Sequence, residues 1–166
     1  MSSGFKYLII ADESPEFPSA LTYAALRAKY TNSGLIMLRV VEPVEPAEWV
    51  SVAEEIRRQA AEAAEALTQR FAAEIWAETG LTVEIVIREG DLKAEIRRLA
   101  DEDKAIKIVI LAAGAGQSGP GPLISAIAKG HGIGGRAMPV LIVPGGLNKE
   151  EVRLLASPQE TAALAN

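Results

Sequence analysis

The chain of 166 residues contains no cysteine. Disulfides, thiolate metal centres and a cysteine nucleophile are therefore excluded, and the composition fits a reducing compartment. Histidine is almost as scarce, with His131 alone. A catalytic role for it would need a nucleophile and an orienting acid nearby, and neither a G-x-S-x-G motif nor a metal-spaced acid cluster is present. In "AKGHGIGG" it reads as a solvated residue at a helix end. Aromatics make up only 5 %, which suits helices on a buried sheet better than an aromatic-lined groove. Basic charge is not in excess either: 17 Lys and Arg stand against 22 Asp and Glu, a net charge of −5. With no basic stripe, nucleic acid is not an expected partner. No apolar run approaches the roughly 18–20 residues of a membrane span. The opening "MSSGFKYLIIADES" carries one Lys and soon reaches Asp12, unlike a signal peptide. The expectation is a soluble, acidic, cytoplasmic protein with no membrane partner.

What is abundant is aliphatic: hydrophobic residues reach 49 %, and they come in two alternating patterns. "FKYLIIA" (5–11), "LIMLRVV" (35–41), "LTVEIVI" (81–87), "IKIVILAA" (106–113) and "MPVLIVP" (138–144) are short, β-forming runs. Between them lie helical patterns at 17–30, from about Ala47 to Thr79, at 91–103 and at 122–130, with a weaker one at 148–156. Pro18 marks a helix start, Asp91 is placed as an N-cap and Gly80 as a C-cap. In the long helix Ile56, Ala60, Ala63, Leu67, Phe71 and Ile75 step by three or four, which predicts packing on the sheet. Trp49 and Trp76 bracket it as expected core or interface anchors.

Nearly continuous apolar strands separated by helices predict a parallel sheet covered on both faces, open and five-stranded. Ligands of such sheets sit beyond the carboxyl ends of the strands, where the winding reverses. That edge gathers Asp12–Ser14, Val40–Pro43, Glu89–Asp91 and the 112–122 loop. The domain is read as residues 1–147, followed by a C-terminal extension, 148–166, that is either a helix or a tail.

The loop after the fourth strand contains a literal G-x-G-x-x-G at Gly114, Gly116 and Gly119. A dinucleotide fingerprint belongs to the first βα turn, with an acid about 20 residues on. Here it follows the fourth strand, the later window "GRAMPVL" has no acid, and Pro120 and Pro122 interrupt the helix start. No Gly-Lys-Ser/Thr makes it a Walker loop either. Two readings stay open: a turn-forming segment punctuated by Gly and Pro, or a backbone cradle for phosphate.

Taken together, "LIIADES" (8–14), "RVVEP" (39–43), "EGDL" (89–92) and "PVLIV" (139–143) resemble the motifs of the universal stress protein family, in order and over about residues 5–145. The resemblance implies a Rossmann-like, adenine nucleotide alpha hydrolase-like α/β fold with strand order 3-2-1-4-5. It also implies a homodimer through the last strand, Val140, Leu141, Ile142 and Val143, an apolar edge open to pairing. In the ATP-binding branch a Gly-x2-Gly-x9-Gly-Ser/Thr loop follows the fourth strand. Its positions fall here on Ala113, Gly116, Ala126 and Ile127, so only Gly116 keeps the pattern. Gly114 and Gly119 with Gln117 and Ser118 are candidates for a shifted cradle. Ala11 and Asp12 match the acidic end of the first strand, and Val40 the backbone position that meets adenine. The expected function is a non-enzymatic stress-response or signalling module that binds ATP poorly or in a different manner. The alternatives are a binder of ATP or AMP, with Mg, through a remodelled loop, or a small nucleotide-hydrolysing or dinucleotide-dependent enzyme.

Overall fold

Alternate residues of the central strands feed two separate apolar cores. Tyr7, Ile9 and Ala11 point to one face of the sheet with Leu35 and Met37, while Leu8 and Ile10 point to the other with Ile36 and Leu38. A strand that is apolar on both faces is stable only with helices on both sides. The computed structural model describes residues 4–45, 49–116, 119–133 and 135–158. Its elements are β1 (Lys6–Ile10), α1 (Phe17–Tyr30), β2 (Gly34–Val41), α2 (Val50–Thr79), β3 (Glu84–Glu89), α3 (Leu92–Glu102), β4 (Ile106–Ala113), α4 (Pro122–Ala128), β5 (Val140–Pro144) and α5 (Lys149–Ala156).

The five strands are parallel in the order β3-β2-β1-β4-β5, as expected. Phe17, Leu21 and Ala24 of α1 and Phe71 and Ile75 of α2 cover one face. Ile96 and Leu99 of α3 and Leu123 of α4 cover the other. Phe17 and Phe71 meet edge to face, with ring centroids 4.9 Å apart, an arrangement that adds to their burial. Asp91 caps α3 by accepting the Ala94 N–H at 2.9 Å, and α2 closes on Gly80 in the left-handed conformation at φ 72°.

Two expectations change. The apolar stripe of α2 is buried only from Ala64 onward, so Ile56 remains 47 % exposed. A 30-residue helix rises about 45 Å. The eight residues of β2 span only about 26 Å, so the first turns of α2 overhang the sheet. Trp49 and Trp76 are exposed rather than in the core. The expected start of this helix at Ala47 lies outside the described residues. Beyond β5, α5 is a docked helix: Val152 and Ala156 are buried, and Arg27 Nη1 donates to the Ala156 carbonyl at 3.3 Å.

Candidate functional site

The winding reverses between β1 and β4, whose neighbours in sequence lie on opposite sides of the sheet. The carboxyl ends of these strands must diverge there, and a cleft of about 530 Å³ opens above them. That volume falls in the range of small-molecule sites. Its floor is apolar, from Ile10, Ala11, Leu111 and Ala112; Val40 and Pro43 form one wall and the 120–124 segment another. Four charged side chains line it: Asp12, Arg39, Glu42 and Asp91.

Asp12, Arg39 and Asp91 are held by local geometry. Asp12 lies just past β1, and its Oδ1 accepts the Ser14 N–H at 2.9 Å. Asp91 is tied to the start of α3 by its capping bond. Arg39 sits near the end of β2, where its Nη1 donates to the Ala11 carbonyl at 3.3 Å. Its Nη2 lies 3.7 Å from the Glu13 carboxylate. Glu42 follows β2 and is exposed. The turn after β3 is fixed by the Gly90 N–H donating to the Val41 carbonyl at 3.0 Å.

Among the residues anticipated for a nucleotide, Ala11, Asp12 and Val40 are brought together on this cleft. Ala113, Gly114, Gly116, Gly119, Ala126 and Ile127 do not line it; Gln117 and Ser118 lie outside the described residues. The glycine loop folds back on itself instead. The Gly114 N–H donates to the Pro120 carbonyl at 3.3 Å, and the Gly119 N–H to the Gly116 carbonyl at 3.4 Å. The Ala115 N–H donates to Glu16 Oε1 at 3.3 Å, and this bond holds the Glu16 carboxyl below its ordinary range. Pro120 and Pro122 have no N–H to give. A side chain at Gly114 would strike the Gly119 carbonyl oxygen at 2.5 Å, so this fold-back needs glycine there.

Sequence reasoning missed Arg39. A cation amid "LIMLRVV" looks like an interruption of a strand, and only its position near the end of β2 exposes its use. Leu123 and Ile124 of α4 were also missed as lining, because a helix start reads as core. His131 is exposed and does not line the cleft.

The sequence pattern of the universal stress protein family matches residues 6–126. No curated protein matches the chain. Among solved structures, the chain is similar to the universal stress protein UspA from Lactobacillus plantarum. The identity is 18 % and the TM-score 0.66, over 86 % of this chain and 99 % of that one. It is similar to a universal stress protein in complex with cAMP, at 18 % identity and TM-score 0.60, over 86 % and 98 %. A third is the universal stress protein from Archaeoglobus fulgidus in complex with dAMP, at 15 % identity and TM-score 0.54, again over 86 % and 98 %. At these identities the solved structures establish the shared fold.

Proposed function

The chain belongs to the universal stress protein family, and from this premise we propose that it is a non-enzymatic signalling module of the stress response whose cleft takes the nucleoside part of an adenine nucleotide but holds a triphosphate poorly. The observation that carries the reading is the state of the glycine loop. The N–H groups of Gly114, Ala115 and Gly119 are bonded within the protein. A phosphate would have to break those bonds to use these three amides, which weakens its net attraction. The carboxylates of Asp12, Glu42 and Asp91 on the cleft also oppose a highly charged anion, while they suit the hydroxyl and amino donors of a nucleoside. Two structural neighbours are described as complexes with cAMP and dAMP, each with one phosphate group, in keeping with a small anionic load.

The reading is non-enzymatic because the reactive set is thin: no Cys, one His and no Walker lysine. We place the protein in the cytoplasm on the same reading; no described helix is long and apolar enough to cross a membrane. We also propose a homodimer through β5, an outer strand of the sheet with one side unpaired among the described residues.

Equilibrium dialysis with labelled adenosine, AMP and ATP plus Mg²⁺ tests the cleft. The expected result is saturable binding of adenosine and AMP, with ATP no tighter than AMP. ATP bound tenfold or more tightly than AMP would overturn the reading. Steady release of phosphate from ATP, lost on Asp12→Ala, would replace it by the hydrolase alternative.

A further inference from the structure

Leu35 and Met37 of β2 point into the core beneath α1 and α2, and the strand alternation puts Arg39 next on the same face. An apolar side chain would complete that face at the least cost in stability. The guanidinium found there is poorly matched. Its side chain is 23 % exposed; among the described residues its Nε is buried without a hydrogen-bond partner, and the carboxylate paired with it, Glu13, is itself 77 % exposed and 3.7 Å away. Burying a cation on such terms is weak support for a fold. What the guanidinium does reach is specific: it donates to the carbonyl of Ala11 and forms a 3.7 Å ion pair with the carboxylate of Glu13, the residues on either side of Asp12.

We propose that Arg39 is the positioning residue of the cleft: its forked guanidinium grips Ala11 and Glu13 and so fixes the Asp12 carboxylate toward a hydrogen-bond donor of a bound nucleoside. The inference rests on the nucleoside reading of the cleft. The Asp12 carboxylate already anchors the turn through its Oδ1 bond to the Ser14 N–H, and Oδ2 takes no hydrogen bond from the described residues. With the Ala11 end held by the Leu38 carbonyl at 2.8 Å as well, Asp12 has a defined place. A planar fork can hold two acceptors at once, whereas the point charge of a lysine cannot do so in one geometry.

Two measurements on the full chain test this. The first is amide exchange of Ser14 by NMR, which needs no ligand. In Arg39→Met the Ser14 amide is expected to exchange about tenfold faster, on the scale of one lost charge-assisted hydrogen bond, while the thermal midpoint stays level or rises. Arg39→Lys is expected to leave the Ser14 amide unprotected as well. Unchanged exchange in Arg39→Met overturns the grip, as does full protection in Arg39→Lys. A midpoint that falls in step with the exchange makes Arg39 an ordinary strut and likewise overturns it. The second measurement is adenosine affinity by calorimetry. Arg39→Met and Asp12→Asn are each expected to weaken binding about tenfold, and the double variant no further than Asp12→Asn alone. Additive losses mean that Arg39 acts without Asp12 and overturn the proposal. A wild type that binds no adenosine overturns the nucleoside reading instead, and the Ser14 exchange then decides the grip by itself.

Discussion

Lys6, at the start of β1, bridges two acids from distant parts of the chain: Asp103 at 2.8 Å and Glu84 at 2.9 Å. The Asp103 hydrogen bond, with that of Glu84 behind it, raises the lysine above its ordinary 10.5. The Lys6 hydrogen bond in turn lowers the Asp103 carboxyl below its ordinary 3.8. The two signs define a plateau. The Asp103 contribution is complete above the ordinary carboxylate value and disappears as pH falls through its lowered folded value. The Lys6 contribution is complete below the ordinary lysine value and disappears as pH rises through its raised folded value. Lys6→Met should therefore cost about 1 kcal/mol at neutral pH, partial exposure keeping the figure that small. The deficit relative to wild type should shrink as pH falls through the lowered folded value of Asp103. Thermal midpoints of both proteins across pH check this, and a deficit independent of pH would assign the loss to packing.

Among the elements, α2 is the one whose two halves have different jobs. Its second half buries Ala64, Thr68, Phe71 and Ile75, and Phe71 packs edge to face on Phe17. Its first half overhangs the sheet, with Arg57 3.5 Å from Glu89 and Arg58 bound to Glu55 and Glu62. Phe71→Ala should cost about 3–5 kcal/mol. Ile56→Ala, in the same stripe, should stay within about 0.5 kcal/mol. Urea midpoints at constant slope measure both, and similar costs would mean that the overhang is covered in solution. The sequence stripe did not distinguish these halves, because helical periodicity records which face is apolar and not how far a neighbouring sheet extends. The last helix shows the opposite case. Asn148 and Glu151 form a reciprocal capping box at the start of the weaker helical pattern, but its docking through Arg27 and Ala156 was not legible.

For the molecule as a whole, the unpaired side of β5 bears on assembly. The four residues expected at the interface are not equivalent: Val143 is 3 % exposed and Ile142 is 42 % exposed, while Leu141 packs against the core. Ile142→Lys is therefore the substitution that tests pairing with least damage to the fold. Sedimentation should show a dimer for wild type and a monomer for Ile142→Lys; a monomeric wild type would end the homodimer proposal. A charge on an edge strand is a general barrier to pairing.

Strand periodicity and helix caps were enough to place ten elements in order, because those signals arise between residues a few positions apart. Apolar strands without alternation also required two covered faces, and hence a sheet wound in both directions. The cleft at Asp12 and Val40 was legible for the same reason, since a winding reversal puts known strand ends side by side. What only the tertiary structure decided is how non-neighbours use one another. The Gly114–Gly119 motif reads equally as a turn or a cradle until the bonds to Pro120 and Glu16 show the Gly114 and Ala115 amides occupied. Arg39 reads as a flaw in a strand until Ala11 and Glu13 are seen beside it. Hydrogen bonds across 28 or 99 residues of chain depend on the assembled sheet, and no local pattern encodes them.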